Sequence, residues 1–173
     1  MSRGGSRESS RASGERLDPW QVAVKLLAMR AMSTEELRQR LARRGYAGDQ
    51  IASVIAKLTA ARYLDDAEYA RTWARSRAHR RSLGPARLAR ELRARGIAEP
   101  EISAVLDEVF GERDVRSVAE AATIRKLRDL QGLAPLVARR RLAAFLTRRG
   151  FPAEIILTLC RKHFPHREDL DDQ

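Results

Sequence analysis

A short motif occurs three times in this chain at nearly constant spacing. It reads LARRGY at residues 41–46, LRARGI at 92–97 and LTRRGF at 146–151, and its glycines lie 51 and 54 positions apart. A period near fifty residues is typical of an array of helical modules. Because the modules of such an array contact only their neighbours, a partner can bind along several of them at once. The repeat therefore places function on the surface of an array and not in a buried pocket.

Helical signals continue almost without interruption from Asp18 onward. The middle helix of each repeat is predicted to begin at Ser33, which forms a capping box with Glu36, or just before a proline (Pro85 and Pro135). It is predicted to end at Gly45, Gly96 or Gly150, structural caps that adopt the left-handed conformation which terminates helices. No run alternates in the manner of a strand. The sequence predicts an all-α fold, an elongated tandem array of three three-helix repeats.

The apolar residues of the third helices keep one register from repeat to repeat. Counted from each glycine, positions 6, 9, 10 and 13 are Ile51, Val54, Ile55 and Leu58, then Ile102, Val105, Leu106 and Val109, then Ile156, Leu159, Cys160 and His163. These positions share one helix face, which predicts a core. The first helices are less regular, and for the second repeat we expect Tyr69 and Trp73 to mark the apolar face.

These patterns divide the chain into five segments. Residues 1–17 are rich in Ser, Gly and charge and predict a disordered arm. Repeats 1, 2 and 3 are assigned to residues 18–62, 63–111 and 112–164, and residues 165–173 form an acidic tail.

The formal net charge of +11 lies in the helical part of the chain, because the arm is nearly neutral and the tail is acidic. Such a charge attracts polyanions or an acidic protein surface. Only four of the 34 basic residues are lysines, so a general bias toward arginine is an alternative source of the charge. The residues predicted to bind a partner are Arg71, Arg75, Arg77, Arg80, Arg81, Arg87, Arg90, Arg93, Arg139 and Arg140.

Few residues of the chain suggest a disulfide, a metal site or a catalytic site. Cys160 is the only cysteine and occupies a core position, and His163 with His166 lacks a third ligand, so we expect neither a disulfide nor a metal site. Asp65 and Asp66 could hold magnesium, but we interpret them as structural caps of the helix that follows. We find no phosphate-binding loop or nucleophile motif and no segment that could cross a membrane. We therefore expect a cytoplasmic monomer with no cofactor and no enzymatic activity.

Three segments resemble the RecX family of bacterial recombination regulators. They are residues 61–70 (ARYLDDAEYA), residues 82–92 (SLGPARLAREL) and Gly96-Ile97, and the resemblance covers about residues 19–164. It implies an array of three-helix repeats that binds the recombinase RecA, especially its filament on DNA, and mostly inhibits its recombinase and co-protease activities in DNA repair and the SOS response. Arg62 departs from the family, in which glycine is common at this position. The third repeat matches only at its glycine motif and apolar register.

A sequence-independent nucleic-acid-binding module is the alternative function. Helix-turn-helix proteins also pack three helices, but they place a basic last helix in the DNA major groove. The last helix of repeat 2 instead begins Pro100-Glu101-Ile102-Ser103 and continues through Asp107-Glu108 without a basic residue. This acidity, together with the scarcity of aromatic residues for base stacking, favours a protein partner, while direct contact with DNA stays open.

Overall fold

Three helices in each of three repeats make up the computed structural model, which describes residues 17–112 and 114–165. Repeat 1 contains α1 (Pro19–Met29), α2 (Thr34–Ala42) and α3 (Gly48–Ala60). Repeat 2 contains α4 (Asp66–Arg81), α5 (Pro85–Arg93) and α6 (Glu99–Glu112). Repeat 3 contains α7 (Val115–Leu127), a 3-10 turn (Arg128–Leu130), α8 (Pro135–Arg149) and α9 (Ala153–His163). The described ranges contain no strand, and the predicted all-α array is confirmed.

Several predicted features fall outside these ranges. The arm at residues 1–16, the tail from residue 166 onward and His166 are not among the described residues.

Helix ends follow the predicted capping chemistry. Ser33 Oγ accepts the backbone N–H of Glu36 at 3.2 Å, and Asp65 Oδ1 accepts that of Glu68 at 2.9 Å. Each of these oxygens satisfies an amide that has no partner within its own helix. Gly45, Gly96 and Gly150 end the middle helices with φ of 79°, 76° and 82°, as the motif predicts.

Each repeat has its own hydrophobic core. The paired leucines of the middle helices are fully buried in all three repeats: Leu37 and Leu41, Leu88 and Leu92, Leu142 and Leu146. The predicted register of the third helices is buried as well, except that Leu106 and His163 are only partly buried. The helical period in the sequence therefore locates the three cores.

The apolar face of α4 differs from the prediction. Its buried residues are Ala70, Ala74 and Ala78, whereas Tyr69 and Trp73 are only partly buried at the edge of the core. Small side chains at every fourth position let α4 approach its neighbours closely, which leaves no room for the two aromatic rings inside. The rings instead stack on each other, with their centroids 5.9 Å apart.

The middle helices meet end to end across the repeats. At the joint of repeats 1 and 2, Ser33 at the start of α2 donates its hydroxyl to the carbonyl of Arg95, just past the end of α5, at 2.6 Å. At the joint of repeats 2 and 3, the N–H of Gly84 before α5 donates to the carbonyl of Arg149 at the end of α8, at 2.8 Å. In both joints, amides or a cap at a helix N-terminus face carbonyls at a helix C-terminus, so the helix dipoles attract.

Asp66 strengthens the first joint and corrects part of the sequence interpretation. Asp65 alone caps α4, and Asp66 Oδ1 instead accepts the N–H of Thr34 at 2.8 Å, which is the first residue of α2. One aspartate of the pair therefore caps its own helix, and the other caps a helix of the preceding repeat.

Candidate partner-binding surface

Two of the predicted partner-binding arginines, Arg71 and Arg75, lie on α4 and pair with carboxylates of the chain. Arg71 Nη2 is 2.9 Å from Glu68 Oε2, and its hydrogen bond lowers the pKa of the Glu68 carboxyl. Arg75 Nη2 is 2.7 Å from Glu108 Oε1 on α6. Both pairs are largely exposed, so each stabilises the fold weakly, and a partner's carboxylate or phosphate can compete for the guanidinium.

Arg77 is held differently and is a poor candidate for partner contact. Its guanidinium carbon lies 3.4 Å from the centre of the Trp73 ring, and Arg95 lies over the same ring at 3.5 Å. Arg77 Nε is also 3.1 Å from Glu91 Oε2, and its side chain is only 20% exposed. Burial lowers the pKa of Arg77. This arginine therefore ties α4 to α5 within repeat 2.

Two of the three predicted arginines of α5 pair with carboxylates of the chain. Arg87 Nε lies 3.1 Å from Glu91 Oε1, and Arg93 binds Glu99 through two hydrogen bonds of 3.0 and 2.7 Å. Arg93 thereby lowers the pKa of the Glu99 carboxyl. Arg90 is exposed and pairs with no carboxylate within residues 17–112 and 114–165.

On α8, Arg140 is also exposed, and no described carboxylate pairs with it, whereas Arg139 is partly buried. The backbone carbonyl of Arg139 accepts the thiol of Cys160 at a distance of 3.9 Å. Cys160 lies in the core, as its register predicts, and this burial raises the pKa of its thiol.

Arg80 and Arg81 end α4 at the joint with repeat 3, where other arginines join them. The structure brings these two and Arg87 together with three residues that the sequence analysis did not select: Arg125, Arg148 and Arg149. Arg148 and Arg149 belong to the repeated motif itself, but we used that motif only to locate helix ends. The sequence feature that could have identified Arg148 and Arg149 is their place in a motif that ends a helix at the joint between two repeats.

The predicted caps Asp65 and Asp66 are engaged by the backbone. Both aspartates of the Asp65-Asp66 pair accept backbone amides, as described above. Within the described ranges, no three His, Cys, Asp or Glu side chains lie close enough together to hold a metal ion. No helix in the same ranges is long and apolar enough to cross a membrane.

Family models match the chain in all three repeats. They are described as the first, second and third three-helix domains of RecX and match residues 20–58, 65–106 and 114–170. Similar curated proteins carry the name of the same family. The chain is 40% identical over 135 residues to "Regulatory protein RecX" of Halorhodospira halophila, covering 77% of this chain and 80% of the relative. It is 34% identical over 139 residues to the protein of the same name from Pelodictyon phaeoclathratiforme, covering 80% and 84%.

Solved structures share the fold at low sequence identity. A crystal structure of regulatory protein RecX superposes with a TM-score of 0.75 at 18% identity, covering 82% of this chain and 70% of that one. RecX from Lactobacillus salivarius superposes with a TM-score of 0.72 at 17% identity, covering 83% and 93%. These likenesses support the three-repeat architecture.

Proposed function

The chain belongs to the RecX family, and from this we propose that it binds the RecA recombinase and its filament on DNA. In this proposal it is a regulatory protein that mostly inhibits recombinase and co-protease activity in DNA repair and the SOS response. The observation that carries the proposal is the match of all three family domains along one chain. The partner follows from what the RecX family is known to regulate.

The architecture suits a filament as partner. The two joints connect the repeats through hydrogen bonds between middle helices, so arginines of different repeats are held on one scaffold. A filament presents the same surface again and again along its length, and an array of repeats can contact several copies at once. The exposed arginines without a described carboxylate partner, Arg90 and Arg140 among them, are the first candidates for these contacts.

A protein surface is favoured over a DNA major groove by the charge of α6. This third helix of repeat 2 carries Glu101, Asp107 and Glu108 and no basic residue. A groove lined by phosphates repels such a helix, so repeat 2 cannot dock as helix-turn-helix proteins do. Sequence-independent binding of nucleic acid is the second candidate function, because the net charge of +11 favours it.

We propose no catalytic role for the chain. Three groups with resolved pKa shifts, Glu68, Glu99 and Cys160, form structural ion pairs or lie in the core. We further propose that the protein acts as a monomer in the cytoplasm, where RecA and its DNA are found.

The decisive experiment compares the affinity of the full chain for bare single-stranded DNA with its affinity for the same DNA coated by RecA, at physiological salt. We expect tighter binding to the coated DNA together with inhibition of strand exchange. Equal or tighter binding to bare DNA would select the second candidate.

A charge-reversal variant tests the surface itself. In R90E/R140E, we expect affinity for the RecA filament to fall at least about tenfold, because two guanidinium contacts become repulsive. Helical content and melting temperature should not change, since neither side chain has a described partner. Unchanged affinity in the folded variant would exclude these two residues from the contact surface.

A further inference from the structure

A cleft with six arginines lies at the joint of repeats 2 and 3. Its volume is about 600 Å³. Repeat 2 contributes the end of α4 and the start of α5, and repeat 3 contributes α7 and the end of α8. The arginines that line it are Arg80, Arg81, Arg87, Arg125, Arg148 and Arg149.

Two of these arginines are built into the joint. Arg149 donates through Nη1 to the backbone carbonyl of Arg81, and Arg125 donates through Nη2 to the hydroxyl of Ser82. Ser82 is only 2% exposed and has a left-handed φ of 48°, so the turn that accepts these bonds is buried in the joint. The two guanidinium groups are therefore positioned before any ligand binds, which reduces the entropy lost on binding.

The positive charge of the cleft is not neutralised within the described part of the chain. Glu91 is the one carboxylate among the lining residues, and it is shared by Arg87 and Arg77. Arg80, Arg81 and Arg148 pair with no described carboxylate. Burial and repulsion from the nearby charge of Arg125 lower the pKa of Arg149. A bound anion would relieve this repulsion.

The shape and chemistry of the cleft favour phosphates over bases. Guanidinium groups line both sides of it, and those of Arg80, Arg81 and Arg148 can each bind phosphate oxygens in a bidentate manner. Phe145 is the one aromatic residue among the described residues of the lining, and its ring is covered by Arg149 at 4.7 Å and Lys126 at 5.5 Å. No ring in the lining is therefore open for a base to stack on, and sequence is not read here.

We propose that this cleft binds the sugar-phosphate backbone of a single nucleic-acid strand and that the bound strand ties repeat 3 to repeat 2. An acidic peptide is the competing ligand, but its charges occur only at its Asp and Glu residues, whereas a strand carries a negative charge at every nucleotide. The inference rests on the proposed function in one respect, because the strand is identified as the DNA held by the RecA filament.

The test measures binding of the full chain to a labelled oligothymidylate of about 20 nucleotides between about 50 and 200 mM salt. The variant is R80A/R148A, which removes two exposed arginines without a described carboxylate partner from opposite walls and leaves the joint bonds of Arg125 and Arg149 intact. Two lost phosphate contacts reduce the magnitude of the slope of log affinity against log salt by about 1.4, which corresponds to a roughly 25-fold loss of affinity at 0.1 M salt.

The matched control is R43A/R116A, which removes the same charge from two exposed arginines outside the cleft. We expect its affinity to stay within about twofold of the unmodified protein. Equal losses in the two variants would overturn the proposal, because diffuse attraction would then explain binding. Displacement of the oligonucleotide by polyglutamate at equal charge concentration would also overturn it, in favour of an acidic protein ligand.

These outcomes are independent of the test of the proposed function. A cleft variant that binds bare DNA normally refutes the phosphate site, whatever the affinity for RecA. An unmodified protein that fails to prefer RecA-coated DNA refutes the recombinase proposal, whatever the cleft does. Circular dichroism and melting of each variant confirm that the comparison is made between folded proteins.

Discussion

Substitution of Gly150 tests the joints most directly, because a methyl group added at this position would overlap atoms of the neighbouring repeat. Its φ is 82°, and a Cβ on this residue would overlap the backbone nitrogen of Arg87 at the start of α5. Gly132 is a natural control. Its φ of 76° is nearly the same, but a Cβ there would meet no atom within 4 Å. The pair Gly150→Ala and Gly132→Ala thus separates the backbone penalty from the contact between repeats.

The expected magnitudes follow from these two contributions. A left-handed conformation costs an alanine about 1–2 kcal/mol relative to glycine, and about 0.4–1 kcal/mol is recovered because alanine restricts the unfolded chain. Gly132→Ala should therefore lower the free energy of unfolding by about 1 kcal/mol. Forcing a methyl group into the joint adds about 1–3 kcal/mol, so Gly150→Ala should lower it by about 2–4 kcal/mol.

Thermal and urea denaturation of the two variants measures the difference. At about 2–4 °C per kcal/mol for a chain of this size, Gly132→Ala should melt about 3 °C and Gly150→Ala about 9 °C below the unmodified protein. Equal losses in the two variants would refute the reasoning, since they would mean that the end of α8 does not contact the start of α5 in solution.

Two further predictions concern single residues. Arg62 has a left-handed φ of 58°, so Arg62→Gly should raise the melting temperature by about 1–3 °C, and a lower melting temperature would show that the Arg62 side chain stabilises the fold. Arg93 lowers the pKa of the Glu99 carboxyl, so their pair stabilises the folded state at pH values above the ordinary glutamate pKa of about 4.3. This contribution is lost as the pH falls through the lower folded-state pKa, so the unmodified protein should melt slightly above Glu99→Gln at neutral pH, and the difference in melting temperature should disappear in acid. A difference that stays constant with pH would contradict the pairing.

Much of the fold could be predicted from the sequence because its signals are local. The capping box at Ser33, the glycines that end α2, α5 and α8, and the register of the third helices all depend on residues within one or two helical turns. The core face of α4 could not be predicted in this way. Alanine is too weakly apolar to mark a face, and Tyr69 and Trp73 gave a stronger but misleading pattern.

The candidate surface was harder to predict because it depends on contacts between repeats. A count of arginines gives equal weight to Arg77, which is stacked on Trp73, and to Arg80, which has no described carboxylate partner. Only the structure separates the two. It also explains the role of Asp66, whose partner Thr34 lies 32 positions away in the sequence.

The joints and the arginine cleft have a common origin in the repeated motif. Its glycine lets the end of one middle helix approach the start of another, and the residue before the glycine is an arginine in all three copies. A motif that closes a joint therefore also delivers a guanidinium group to it. At the first joint Arg95 stacks on Trp73, and its Nε lies 4.0 Å from Glu36 Oε1, so groups of the protein itself compensate its positive charge. At the second joint no described carboxylate pairs with Arg149, and other arginines surround it. The same local sequence thus supplies an arginine that pairs within the protein at one joint and an arginine without a described carboxylate partner at the other.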